Sequence, residues 1–571
     1  MSTAYTYPGV YVEELPSSVR SIIGVGTSIT AFVGRALKGP TDKATLIHSF
    51  ADYTRIFGGL WQKSNMSYAV YHYFQNGGVD AIIVRVVATN PDGKTEDPKP
   101  AAAATFTLKT YDKISKKITP VPELKLRAAN PGLWGEKLCI ILSDADETKK
   151  QQDNDPTYFN ITIHQKMATG EPGPVLEMFR NVSLNPEKPR FISKLLTDNV
   201  SAYLHMYQDN IKLNPDFKLN FEQPKPENVE PNKTESTTTT DNKPKSTTSD
   251  NKLENFMPKY ELNANVASDG DELTGTMILG NSTTKTGMYA LKDADLFNLL
   301  CIPTYNGSYI ERNGVYADAL KFCNDRRAIL LIDPPSGEKN WKSTKDVLND
   351  INELTRDKNG AIFFPRIVAP DPLEEYRLRE FDPCGAIAGV IAKTDAQRGV
   401  WKAPAGTDAV LSGVPDLAVR LTNEENGELN PKGVNCLRIF PDAGCVIWGS
   451  RTLRGADSLA DQWKYLSVRR VALFIEETLY RGTQWVVFEP NDERLWSQIR
   501  LNVGAFMHSL FIKGAFQGTD PKKAYMVKCD SETTTQTDIN AGIVNILVGF
   551  APLKPAEFVI LKIQQLAGQE S

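Results

Sequence analysis

Apolar residues fall into two rhythms along this chain. Short continuous runs rich in Val, Ile, Ala and Phe read as buried strands: Ser28–Arg35 (SITAFVGR), Ala81–Val87 (AIIVRVV), Ala328–Ile332 and Ala361–Pro365. Runs with apolar positions three and four apart read as helices: Tyr68–Gln75, with Met66, Val70 and Phe74 at helical spacing, then Val315–Arg326 and Ser343–Arg356. Gly77-Gly78 closes the first helix, and Asp333-Pro334-Pro335 closes a strand. Helices alternating with strands in this order predict parallel strands joined by helical crossovers.

Elsewhere the pattern changes. The first 20 residues read as an arm: Pro8, Gly9 and Pro16 bracket Val10-Tyr11-Val12, a β-prone stretch too small to bury its own apolar face. Residues 100–285 read as a mainly β insertion, with strands at Lys137–Leu142 and Tyr158–His164. Inside it, 222–255 is low in complexity (TESTTTTDNKPKSTTSDNK) and has too few aliphatic residues to offset chain entropy, which predicts a mobile surface loop. Residues 400–445, rich in Gly and Pro, read as long ordered loops. Towards the end, Ser458–Arg481 reads as a long helix and Gln484–Phe488 as a strand. Asn491 or Asp492 can cap a helix with the face Trp496, Ile499, Val503, Phe506 and Leu510. Ala524–Cys529, Ile543–Phe550 and Glu557–Leu566 read as further strands, the last two split by Pro552 and Pro555.

Composition narrows the function classes. With 41% apolar and 23% charged residues the chain can bury a large core, and a net charge of -4 argues against a dedicated nucleic-acid binder. No apolar run approaches the roughly 18 residues that span a bilayer. The N-terminus lacks the basic start and apolar stretch of a secretory signal. Cys139, Cys301, Cys323, Cys384, Cys436, Cys445 and Cys529 are scattered and odd in number, which predicts neither a disulfide framework nor a zinc site and suits a reducing cytoplasm.

Catalytic motifs fail one by one. Gly34–Thr41 has the spacing of a phosphate loop, but Pro40 stands where the lysine belongs and has no N–H to offer, so a strand-exit turn is the better reading. There is no GxSxG and no HExxH. His48, His72, His164, His205 and His508 lie far apart in sequence; packing or surface roles suit His72 and His508 best. Glu13-Glu14, Glu374-Glu375 and Glu476-Glu477 are neighbours whose side chains diverge, so none is a natural acid–base pair. Trp401, Lys402 and Arg398 could stack on a base or sugar, but a structural loop fits the acidic chain better. Arg451 and Arg454, beside Gly449 and Gly455, suit either carboxylate binding at an interface or local turn packing. A long, ordered chain with no visible active site and a β-prone arm at each end reads as a structural or interaction protein, because such arms can add to another subunit's sheet edge.

Several segments carry a more specific signal. YPGVYVEELPS at Tyr7–Ser17 is similar to the opening of contractile tail sheath proteins, and Ser21–Pro40 and Gly77–Val87 resemble that family's first core strands. Asp295–Pro303, Asp325–Pro335, Gly389–Gly406, Leu429–Gly455 and Arg494–Gly518 continue the resemblance in order. It covers about 1–90 and 290–571, leaves the insertion unmatched, and is closest to sheath subunits of extracellular contractile injection systems.

The resemblance implies a multidomain α/β and α+β fold: an N-terminal arm (1–20), a discontinuous α/β sheath domain (21–90 and 286–455), an inserted mainly β outer domain (91–285) and a C-terminal domain (456–571) ending in a strand arm. It implies stacked hexameric rings around an inner tube, no catalytic site, no cofactor and no metal. Expected partners are neighbouring sheath subunits, the inner tube protein, and baseplate and terminal cap proteins, with no nucleic acid bound and no membrane insertion. Assembly is expected in the bacterial cytoplasm, in a tail-like particle that can be released. Tyr7, Val10, Tyr11, Val12 and Glu13 are expected in the N-terminal arm contact. Glu557, Phe558, Val559, Ile560, Leu561 and Ile563 are expected in the C-terminal one. Asp492, Glu493, Arg494 and Arg500 are expected to face the tube. The rival readings are a hydrolase-like enzyme on the α/β domain and a monomeric surface-binding module.

Overall fold

The computed structural model describes residues 21–90, 99–112, 117–145, 148, 150, 158–197, 199–207, 263–265, 267–303, 312–336 and 340–562. The N-terminal arm, the 222–255 loop and Ile563 lie outside them. Two compact units share the described residues: one from 1–36, 41–86 and 273–571, the other from 37–40 and 87–272.

The first unit is organised by continuous apolar runs that demand cover on both sides. In chain order it begins with β1 (Thr30–Gly34), β2 (Thr45–Ile47), α1 (Phe50–Phe57), α2 (Asn65–Gln75) and β3 (Ala81–Arg85). The second unit then intervenes with seven antiparallel strands: β4 (Thr105–Asp112), β5 (Lys117–Ala128), β6 (Leu138–Asp144), β7 (Phe159–Lys166), β8 (Pro172–Val182), β9 (Leu204–Met206) and β10 (Asn263–Asn265). They form one sheet in the order β10-β4-β5-β9 and a meander β6-β7-β8. Alternate residues such as Ile140, Phe159, Ile161 and Ile163 pack inward with Phe106, Leu126 and Trp134.

The first unit resumes with β11 (Leu299–Cys301), α3 (Arg312–Asp325), β12 (Ile329–Ile332), α4 (Thr344–Asp350) and β13 (Gly360–Phe364). A small antiparallel sheet follows, formed by β14 (Ile367–Asp371), β15 (Arg377–Phe381) and, further along, β16 (Asp416–Leu417). Helix α5 (Cys384–Arg398) lies between β15 and β16; α6 (Asn423–Leu429), β17 (Val434–Phe440) and β18 (Gly444–Ile447) follow. The main sheet runs β18-β17-β13-β12-β11-β1-β3-β2. Its six inner strands are parallel and only the edges β18 and β2 are antiparallel. Alternation divides each inner strand between two cores. Phe32, Ile83, Leu331 and Phe363 face one layer with α1, α2 and α5, and Ala31, Val84, Leu330 and Ile362 face the other with α3.

Helices α2 and α5 cross at close range. A Cβ on Gly385 would lie 2.0 Å from the Ala69 carbonyl oxygen, and one on Gly389 would lie 2.5 Å from that of Tyr73. Only glycine allows the two backbones to approach this far.

The C-terminal part follows a third rhythm. Helices α7 (Leu466–Gly482) and α8 (Glu493–Ile512) pack Val471 and Ile475 against Trp496, Ile499, Val503, Phe506 and Leu510, the face legible in the sequence. Strands β19 (Tyr525–Lys528) and β20 (Leu547–Phe550) form a two-stranded antiparallel sheet on this core.

Several expectations need correction. Gln484–Phe488 is not a strand: Gln484–Val486 is a single 3-10 turn between α7 and α8, and Phe488 has φ 69°, outside the β region. The helix expected from Ser458 begins only at Leu466, because Ala460 is left-handed and Asp461 turns the chain by accepting the Trp463 N–H. Helix α4 stops at Asp350, well before Arg356. Within 400–445, a Thr422–Glu425 capping box nucleates α6, and β17 joins the main sheet. Residues 557–562 pair with no strand among the described residues.

The seven cysteines are free; all but Cys139 are buried. Burial raises the thiol pKa of Cys436 and Cys445 to about 12 and that of Cys529 to about 11, and pushes Cys301, Cys323 and Cys384 up as well.

Candidate assembly surface

The first described residues run along α7. Ile22 packs over Gly482, Gly24 sits against the Phe474 ring, and the Val25 N–H donates to Thr478 Oγ1 at 3.3 Å. Thr27 is pinned twice: its hydroxyl donates to Asp395 Oδ2 at 2.7 Å, and its carbonyl accepts from Arg470 at 3.0 Å. Arg470 on α7 and Asp395 on α5 form a buried ion pair at 2.5 Å, with further N–H···O contact at 2.9 Å. Residues 22–27 are therefore fixed to two helices before β1 begins.

The other terminus is held differently. Beyond β20 residues 551–562 form no helix and no strand. Phe516 bridges to Pro552, and Glu557 is the last residue to make described contacts with the body. Phe558, Val559, Ile560 and Leu561 then stand 73%, 80%, 78% and 82% exposed, a run of four apolar side chains in water. The β19–β20 sheet has only two strands among the described residues, with Met526 and Leu547 exposed.

Arg451 grips Glu557. Its Nε and Nη2 donate to the two Glu557 carboxylate oxygens at 2.7 and 2.6 Å, and Tyr465 O–H adds a bond at 3.3 Å. The remaining Nη1 donates to the Asn430 and Gly455 carbonyls and to Asp457. The Arg451 side chain is fully buried. Burial lowers its pKa, but the Glu557 hydrogen bonds and the charges of Glu557 and Asp457 outweigh that and leave the value raised. The alternatives for this arginine thus resolve into a carboxylate site filled from its own chain. Arg454 pairs with Asp461 in a local turn.

The four residues expected to face the tube cluster at the start of α8. Asp492 is the N-cap, accepting the Leu495 N–H at 2.9 Å. Glu493 and Arg494 are exposed. Arg500 pairs with Glu493 at 2.6 Å and donates to the Cys529 carbonyl. Two of the four therefore neutralise each other, and one is committed to its own helix.

The remaining polar candidates are occupied structurally. His72 is buried in α2 with its ring 5.2 Å from Phe381; desolvation, opposed by the Asp371 charge, lowers its pKa to about 4. His508 is exposed and touches the Tyr525 hydroxyl. Glu476 pairs with Arg469, while Glu477 pairs with Arg327 and Arg481. Lys402 is tied to the Ala403 and Ala405 carbonyls. Asp333 is buried beside the Arg366–Asp382 pair and accepts the Cys384 N–H at 2.8 Å, fixing the start of α5. Burial, then the Asp382 charge, push its carboxyl upward. An open basin lined by Lys292, Asp295, Arg326, Arg327, Glu477 and Arg481 pairs Arg327 and Arg481 with Glu477 and Asp295, while Arg326 donates to backbone carbonyls, and it is lined by no histidine. Among the described residues no His, Cys, Asp and Glu group is arranged to hold a metal ion, and no helix is long and apolar enough to cross a membrane.

Sequence reasoning missed Thr27, Asp395, Arg470 and Asn435. Arg469-Arg470 within the apolar run of α7 was the available signal, since buried arginines require partners. Those partners lie 75 to 443 residues away.

Residues 22–27 fixed to α5 and α7, the exposed Phe558–Leu561 run and polar groups held in internal pairs suit a structural protein. The phage tail sheath protein central domain matches residues 279–453, and the phage tail sheath C-terminal domain matches residues 459–565. Residues 279–453 and 459–565 thus carry the central and C-terminal domains of the phage tail sheath family. Solved structures share the fold. A sheath complex of an extracellular contractile injection system in its contracted state is 19% identical, with a TM-score of 0.54 over 99% of both chains. A chain of the anti-feeding prophage baseplate is 23% identical, with a TM-score of 0.52 over 98% of this chain and 99% of that one. The sheath tail protein from Listeria innocua is 12% identical, with a TM-score of 0.52 over 93% and 96%. No protein in the curated comparison matches the sequence.

Proposed function

We infer that this chain is the structural subunit of a contractile sheath, polymerising as stacked hexameric rings around an inner tube and driving that tube through a target envelope when it contracts. The observation that carries this is the exposed apolar run Phe558–Leu561, in a chain whose β19–β20 sheet has two strands among the described residues. In a polymer, the C-terminal run of one copy and the Tyr7–Glu13 segment of another extend the β19–β20 sheet of a third. Each added backbone bond contributes a net of about 0.5–1.5 kcal/mol, so a few per arm hold neighbours together. The ladders stay intact while the bodies move, which suits a lattice that shortens without falling apart. The work comes from the difference between two packings of the same interfaces, so no nucleotide and no catalytic residue is required.

Inner tube, baseplate and terminal cap proteins are the partners, and the particle is released from the producing cell. The start of α8, with Arg494 exposed, is the surface offered to the tube; weak exposed charges suit a contact that must let go.

The test is negative-stain microscopy of the purified chain, alone and with its tube protein, beside a variant lacking residues 2–15. Wild type is expected to form hollow striated cylinders; the deletion variant is expected to stay folded and monomeric. Persistent monomers of wild type in the presence of tube would overturn the reading.

A further inference from the structure

We propose that the Arg451–Glu557 clasp is the mechanical root of the C-terminal arm, and that through Arg451 it ties the arm to the central sheet, while Tyr465 and Lys464 hold the same carboxylate from the C-terminal domain. Three observations lead there. Glu557 is the last residue to make described contacts with the body, and the four residues after it are exposed. Its partner Arg451 lies within the central-domain match (279–453), whereas Glu557 lies within the C-terminal-domain match (459–565). Arg451 is itself locked from behind: its N–H donates to Asn435 Oδ1 at 2.6 Å, and Asn435 Nδ2 donates to the Arg451 carbonyl at 2.8 Å and the Ile362 carbonyl at 3.0 Å.

Asn435 is on β17 and Ile362 on β13, neighbours in the main sheet. A continuous path of short polar contacts thus leads from the arm through Glu557, Arg451 and Asn435 into two central strands. A pull on Phe558–Leu561 by a second copy reaches the eight-stranded sheet along this path, bypassing the β19–β20 hairpin. The bidentate geometry and the full burial of Arg451 keep the contact oriented and little screened by salt. The clasp also sets where the apolar run starts. Without it, the free arm lengthens back towards Pro552, and more chain must be ordered each time a neighbour is engaged.

The second-copy partner rests on the sheath reading, so the test has one readout that does not. Val559→Cys, in a Cys139→Ser background, takes a spin label whose mobility is measured on unassembled protein. The expected spectrum is restricted with Glu557 present, sharpens to free-arm mobility in Glu557→Gln, and lies between in Glu557→Asp. Unlabelled Glu557→Gln chains, which leave the buried Arg451 guanidinium without its main counter-charge, melt lower than wild type but still fold, and need about tenfold more protein to form cylinders. Equal label mobility with and without Glu557 would overturn the proposal, and so would a loosened label with an unchanged assembly threshold. Arg451→Lys, which keeps the charge and loses the fork, should reproduce Glu557→Gln. Failure of wild type to form cylinders would sink the sheath reading instead, while label mobility still decides whether the clasp exists.

Discussion

Replacing Gly385 with alanine tests how the central helices hold the entry of the N-terminal arm. The added Cβ would sit 2.0 Å from the Ala69 carbonyl oxygen, so one backbone must recede by roughly 1.4 Å to reach ordinary contact. The obstacle is main chain, which no rotamer change relieves. Overpacking of this kind costs about 1–3 kcal/mol, and the upper end applies here. Alanine's better helix propensity returns at most about 1 kcal/mol, leaving a net loss of about 2 kcal/mol. Gly504→Ala is the matched control: it makes the same chemical change within α8, where an added Cβ meets nothing within 4 Å, and should gain up to about 1 kcal/mol. Denaturant unfolding of unassembled protein should shift in opposite directions for the two variants. A second effect follows, because α5 also carries Asp395, which pins Thr27 and Arg470. Moving α5 loosens that pin, so Gly385→Ala should also raise the assembly threshold, whereas Gly504→Ala should leave it unchanged. Equal stability of Gly385→Ala and wild type, or shifts of the same sign in both variants, would refute the close-approach argument.

A strand buries alternate side chains, so of Phe558→Ser/Ile560→Ser and Val559→Ser/Leu561→Ser one pair should block cylinder formation and the other should not. Losing two buried side chains of about 1.5–3 kcal/mol each raises the threshold at least a hundredfold, and indifference to both pairs would exclude strand addition by this segment. His72 makes stability pH-dependent. Its folded pKa is about 4 against an ordinary 6.5, so between these values the unfolded chain binds more protons. Stability is full above pH 6.5 and falls by about 3 kcal/mol towards pH 4. Comparing denaturant midpoints at pH 7 and 4.5, His72→Leu should flatten this slope relative to wild type; equal slopes would show that burial does not hold the ring neutral.

The central sheet was legible in the sequence because strands covered on both faces become near-continuous apolar runs, as in TAFVG and AIIVR. Helix α8 was equally plain, since one buried face and a capping aspartate leave a helical period. The same reasoning misread Gln484–Phe488, where an apolar run turns a corner. It also found a strand at Glu557 that pairs with no strand among the described residues. Arg451 stood out beside its glycines, but its partner lies 106 residues on. The Asp395–Arg470 pin joins two helices and the arm, and long-range ion pairs leave no local spacing to read.

Under the proposed release of the particle, the buried thiols have a consequence. A released sheath meets an oxidising medium, where exposed cysteines on adjoining copies would couple into disulfides. Such bonds would weld the lattice in whichever state it happened to occupy. Six of the seven thiols here are buried and shifted towards the protonated form, so little thiolate is available to react. A sheath that must wait and then fire once would be kept free of covalent rust by its own core.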